Sequence, residues 1–294
     1  MENGDSRYAP PVFLTKGRLM KHYKYQARFD PCHLAVLDIE TVSSESMPEG
    51  EFPPWCTHSP IICSILTADR DRHGEWLFAL ETIRFGEHGS PFEQIDELLT
   101  GRSCVTFSGK NFDLPVLCLA AQKARCFALP ALVAAAQEPR FHSAKHYDLA
   151  DRISGFGGAR GATLERLCKE LGIAAKVDVH GSEVGKLYDE GRVLEIANYC
   201  DGDVASTLLL AAHQWAFEQG DEGYFASLVF QFTRWVLKYG IEHLMPFTEV
   251  NDIGSLLSLS LIGQIEAAQT NAKIDADLRE KRRIDDSFTD TIHY

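Results

Sequence analysis

The run His33-Leu34-Ala35-Val36-Leu37-Asp38-Ile39-Glu40-Thr41 constrains the fold of this chain more than any other segment. Its apolar part reads as a buried strand, and the strand ends by presenting two carboxylates. Side chains alternate along a strand, so Asp38 and Glu40 share one face while Ile39 points the opposite way. Two like charges side by side repel, and burying them is costly unless something positive sits between them. A divalent cation that prefers hard oxygen ligands, Mg²⁺ or Mn²⁺, is the simplest such partner. A metal site at the end of a core strand is therefore expected.

Further strand-like runs follow at Ile61–Thr67 and Trp76–Leu80. The stretch through Pro48, Pro53 and Pro54 reads as a loop, and residues 69–74 read as a hairpin turn between antiparallel strands. The period then changes. Phe92, Ile95, Leu98 and Leu99 share a helical face after a Ser90-Pro91 start. Cys104–Phe107 is a short strand, Leu114–Cys126 a second helix, and Tyr147–Leu149 a last short strand. A helix carrying Leu164, Leu167, Cys168 and Leu171 stops at Gly172, and Val193–Phe217 is a long apolar helix. Three strands followed by alternating helices and strands describe an α/β layered domain with a mixed sheet.

The 294 residues hold one large domain or a domain with an appendage. The expected division is an N-terminal arm over 1–30, the α/β domain over 31–220 and a helical C-terminal extension over 221–294. In the extension, Phe225, Leu228, Val229 and Phe232 repeat on one face, and Leu261, Ile265, Ala268 and Ala272 repeat farther on. Such faces usually dock on their own domain, and self-association is the other use open to the last one. A net charge of −13 argues against wholesale electrostatic binding of nucleic acid or anionic membrane, though a metal site supplies positive charge locally. The eight cysteines include no Cys-x-x-Cys pair, and the gap between Cys118 and Cys126 is too wide for a zinc finger with His142 and His146. The N-terminus lacks a signal peptide's pattern, and no apolar run approaches the ~20 residues that span a bilayer. A reducing cytoplasmic location is expected.

Two more acidic positions complete the pattern. Asp113, in Phe107-Ser108-Gly109-Lys110-Asn111-Phe112-Asp113, sits at a strand-to-helix junction, where an aspartate can also serve as a helix cap. Asp203 follows Tyr199 by four residues, which places the two on one helical face. Together, Asp-x-Glu-Thr on a strand, Phe-Asp opening a helix and Tyr-x₃-Asp in a late apolar helix resemble the 3′–5′ exonucleases with four acids and a tyrosine. Within these the chain looks most like stand-alone relatives of the proofreading domain of family B DNA polymerases. Segments from Tyr147-Asp148-Leu149 through Lys176-Val177-Asp178-Val179-His180-Gly181 to Ile196-Ala197-Asn198-Tyr199-Cys200 resemble that group too, so the likeness covers about residues 32–218. One departure is Ser108, where the family's second motif usually has asparagine; Asn111 is nearby and not equivalent. The histidine subtype needs His where Asn198 stands.

The resemblance implies a ribonuclease H-like fold: a mixed five-stranded sheet flanked by helices. It also implies a two-metal mechanism, with Asp38, Glu40, Asp113 and Asp203 as ligands of two Mg²⁺ or Mn²⁺ ions and Tyr199 orienting the attacking water. Thr41, Ser108, Asn111, Phe112 and Lys176 are the candidate substrate contacts, and Lys110 and Arg160 are further candidate phosphate contacts. The glycine cluster over 155–161 misses the dinucleotide fingerprint and reads as a loop. The expected activity is removal of 5′-mononucleotides from the 3′ end of single-stranded or frayed DNA. The alternatives are an exoribonuclease on the same fold and a catalytically silent module that binds nucleic acid or protein.

Overall fold

The computed structural model describes residues 29–289 apart from 46, 49–50, 87–89, 175–180 and 250–252. Lys176 and nearly all of the N-terminal arm lie outside the described residues.

The sheet has five strands: β1 (His33–Ser43), β2 (His58–Arg70), β3 (Trp76–Arg84), β4 (Ser103–Thr106) and β5 (His146–Asp148). Their order is β3-β2-β1-β4-β5. β1 and β2 pair antiparallel, as do β2 and β3, whereas β1 with β4 and β4 with β5 are parallel. The tight turn between β2 and β3 is held by Asp71, whose carboxylate accepts from the amides of His73 and Glu75. The parallel pairs need crossovers. α1 (Pro91–Leu99) leads into β4, and α2 (Asp113–Lys123) and α3 (Pro130–Gln137) separate β4 from β5. The sheet is thus the expected mixed α/β one, and three of the strands run longer than their apolar cores suggest.

Alternation along β1 divides the core. Leu34 and Val36 join Leu66, Ala68 and Tyr147 beneath α7 (Val193–Gln219) and α8 (Glu222–Tyr239). Ala35, Leu37 and Ile39 face α1, α2 and α3 through Ile95, Leu117 and Leu132. Each such fully buried side chain contributes about 1.5–3 kcal/mol. By the same period, residues 38 and 40 belong to the α7 face. Gly220 ends α7 in the left-handed conformation, with φ 66°. Asp221 then caps α8 by accepting from the Tyr224 amide.

Two expectations about the chain ends need revision. The core already includes Phe29, which stacks on Tyr147 at 4.4 Å and lies against Trp215. Leu228, Val229 and Phe232 of α8 share one cluster with β1 and α7, so the start of the C-terminal extension is part of the domain core. The last helix, α9 (Ile253–Thr289), buries Leu256 and Ser260, and leaves Leu261 and Ile265 exposed. Its sequence stripe points outward because neighbouring positions make the contact. Among the described residues, no helix is long and apolar enough to cross a membrane.

Candidate carboxylate site

The acid pair sits inside β1, not at its end: the strand continues through Ser43. The register with β2 shifts between Glu40 and Thr41, so that Ile62 opposes Glu40 while Pro60 opposes Thr41. Such an irregularity re-aims side chains beyond it and is common beside functional sites. Asp38 opposes Ser64, and Ser64 opposes Thr82, which makes a polar row across β1, β2 and β3. α7 lies over that row. The Cys200 thiol donates to the Asp38 carboxylate at 3.5 Å. One ligand atom from each of Asp38, Glu40 and Cys200 falls within 4.8 Å of the others. No other such trio of His, Cys, Asp or Glu occurs among the described residues.

Asp113 opens α2 and is buried. Burial pushes its carboxyl up to about 7; its own amide opposes this, the charges of Asp148 and Asp203 add to it, and the Ile39 amide opposes it. Ile39 lies between the two acids of β1, so that hydrogen bond ties Asp113 to the strand. Asp203 is 7% exposed on α7. Tyr199, one turn earlier, is half-buried, and its hydroxyl lies 3.4 Å from where a Cβ on Gly181 would stand. Asp113 therefore reaches β1 through the Ile39 amide and feels the charge of Asp203 on α7, while neither falls within the group formed by Asp38, Glu40 and Cys200.

The substrate candidates divide. The Thr41 hydroxyl hydrogen-bonds His58 Nδ1 at 2.7 Å. Phe112 packs its ring edge-on to His58 at 5.0 Å. Asn111 is exposed. Ser108 has φ 69°, a left-handed conformation that suits the family's asparagine better than serine. Its amide donates to Asp148, as does the amide of Lys110. Gly109 between them is required, since a Cβ there would come within 2.6 Å of the Thr106 side chain. Lys110 is corrected as a phosphate contact: its ammonium donates to the carbonyls of Ala136 and Glu138 and caps the end of α3. Arg160 is exposed in the glycine-rich turn.

Sequence reasoning missed Cys200, His58, Asp148 and Asp201. Helical spacing gave a signal for Cys200, because it stands three residues before Asp203. Nothing local signals the others. Asp148 caps α4 (Leu149–Ile153) through the Asp151 amide while gripping the 108–110 loop.

The donor set fits a hard divalent cation. Asp38 and Glu40 supply carboxylate oxygens, and Asp113 is a buried acid whose neighbours disfavour its charge in the absence of a cation. Cys200 fits less well as a ligand. Burial, and then Asp38 and Glu40, push its thiol well up, so it stays a donor.

The structure thus sets Asp38 and Glu40 of the mixed five-stranded sheet beneath α7, with Cys200 of that helix against them. Residues 50–248, about two thirds of the chain, match the family described as "Predicted 3'-5' exonuclease related to the exonuclease domain of PolB". The chain belongs to that family. The match begins after Asp38 and Glu40 and runs through α8, beyond residue 218. No curated protein sequence matches the chain. Among solved structures, it is similar to the family B DNA polymerase of the archaeon Pyrobaculum calidifontis, with 18% identity, a TM-score of 0.42 and coverage of 73% of this chain and 30% of the polymerase. An ExoI/SSB-Ct complex (15%, TM-score 0.38) and Exonuclease I from Methylocaldum szegediense (14%, TM-score 0.31) each align with 70% of this chain and 45% of theirs. The chain spans less than half the length of each.

Proposed function

We propose that the chain is a metal-dependent 3′–5′ exonuclease that releases 5′-mononucleotides from single-stranded or frayed DNA. The observation that carries this reading is the presentation of Asp38 and Glu40 by one face of β1 beneath α7. Asp38, Glu40, Asp113 and Asp203 would hold two Mg²⁺ or Mn²⁺ ions, which supply an acidified water and charge stabilisation for the leaving oxygen. Tyr199 orients the attacking water through its hydroxyl. Cys200 positions Asp38 by donating to its carboxylate, and the Ile39 amide positions Asp113. The preference for DNA rests on family resemblance, because none of these groups reads a 2′-hydroxyl.

End-labelled single-stranded DNA and RNA, incubated with wild type and Asp38→Ala in each metal, test the reading. A ladder shrinking from the 3′ end of DNA, absent with the variant, is expected. Shortening of RNA alone would support the exoribonuclease, and binding without cleavage would support the silent module. For self-association, the outward Leu261 and Ile265 of α9 are the surface offered. A monomer mass at all concentrations in sedimentation would remove that use.

A further inference from the structure

The loop between β1 and β2 carries a feature that the metal chemistry leaves unused. Met47, Phe52 and Trp55 are all exposed there, and Phe52 most of all at 70%. Phe52 is nevertheless held in place. One face of its ring stacks on His58 at 4.9 Å with an interplanar angle of 20°, and its edge meets Phe112 at 5.5 Å. His58 is itself buried and fixed: Nδ1 bonds the Thr41 hydroxyl, and Phe112 packs edge-on against its ring. Burial pushes the imidazole down, so the ring under Phe52 is neutral near pH 7.

Both ends of this aromatic cluster adjoin the acids. Thr41 is the residue after Glu40, and Phe112 is the residue before Asp113. Neighbouring Cα atoms are ~3.8 Å apart, so the backbone that carries the cluster is continuous with the backbone that carries two of the acids. An aromatic ring covered on one face and open on the other is what a nucleobase stacks on, without regard to its identity. We propose that Phe52 is a substrate-positioning residue whose outward ring stacks on the terminal base of a nucleic-acid 3′ end, with His58, Phe112 and Thr41 holding it at the site. This rests on the nuclease reading above and adds the group that seats the base.

The test uses the full chain, with wild type, Phe52→Ala and Phe52→Trp. The substrates are 5′-labelled single-stranded oligonucleotides ending either in an ordinary nucleotide or in an abasic sugar. Phe52→Ala should lower kcat/KM about tenfold more on the ordinary end than on the abasic one, mostly through KM, and Phe52→Trp should restore it. Equal losses on both ends, or none on either, would overturn the proposal. Fluorescence anisotropy with the same oligonucleotides in Ca²⁺ separates this from the nuclease reading. If wild type cleaves nothing, that reading falls. Stacking then stands only if wild type binds the ordinary end more tightly than the abasic one and Phe52→Ala removes the difference.

Discussion

Asp201 and Asp203 stand two residues apart on α7, both buried, at 4% and 7% exposure, and their surroundings oppose each other. Asp201 is surrounded by donors. It accepts from the Ser64 hydroxyl at 2.5 Å and the Thr82 hydroxyl at 2.8 Å, and His243 approaches its other oxygen at 3.1 Å. Ser64 and Thr82 are cross-strand neighbours, and His243 lies in the 3₁₀ turn after α8, so one carboxylate joins β2, β3, α7 and the turn. Asp203 faces the other way along the helix, where its charge helps to push Asp113 up. One aspartate is placed to hold the fold together, and the other adds charge where a cation would be welcome. A buried acid with fixed donors reads as structure, and a gathering of buried acids reads as a site.

The comparison breaks most readily at the site. Asp203→Asn should lower nuclease activity by about 10³-fold or more, the scale of losing charge at a catalytic centre. The melting temperature of the metal-free protein should not fall, since a repulsive charge is removed; a drop equal to that of an Asp201 variant would erase the distinction. Asp201→Ala should do the reverse. It leaves the Ser64 and Thr82 hydroxyls without their acceptor and should cost about 3 kcal/mol in urea unfolding, with activity per folded molecule retained.

His146 sharpens the contrast between donor-satisfied and strained groups. Burial first, and then the Lys110 charge, lowers its pKa from 6.5 to about 3, and the Thr106 hydroxyl lies 2.8 Å from Nε2. The unfolded chain therefore binds more protons between these values. The contribution of neutral His146 is complete above pH 6.5 and is lost as pH falls toward 3, amounting to about 2 kcal/mol between pH 7 and 5. Thermal unfolding of wild type and His146→Gln at both pH values checks this: the variant should show the smaller loss. The smallest effect is expected at Ser108. Ser108→Asn relieves a left-handed serine and should raise stability by under about 1 kcal/mol, read as a shift in urea midpoint.

Much of the fold was legible because local signals agreed with it. The Ser90-Pro91 start, the stop at Gly172 and the length of α7 all appear where the sequence places them. α3 was missed because Pro130-Ala-Leu-Val-Ala-Ala-Ala-Gln is apolar nearly throughout and shows no face. The outward stripe of α9 was misassigned, since a repeat of apolar residues marks a helical face without saying whether anything covers it. At the site, the acids were readable from spacing. Lys110 looked available because its role as a cap on α3 depends on a helix that the sequence hid.

Two periods were settled by the sequence alone. The strand repeat of two puts Asp38 and Glu40 on one face, and the helical repeat of 3.6 puts Tyr199 and Asp203 on another, whatever surrounds them. Only the tertiary structure decided which face meets which. Packing turned α7 so that Cys200 reaches Asp38 across 162 residues of chain, Asp201 meets the row on β2 and β3, and Asp203 is left to act on Asp113. A helix's rotation against a sheet is chosen by the fit of buried side chains from distant segments. No local period contains that choice.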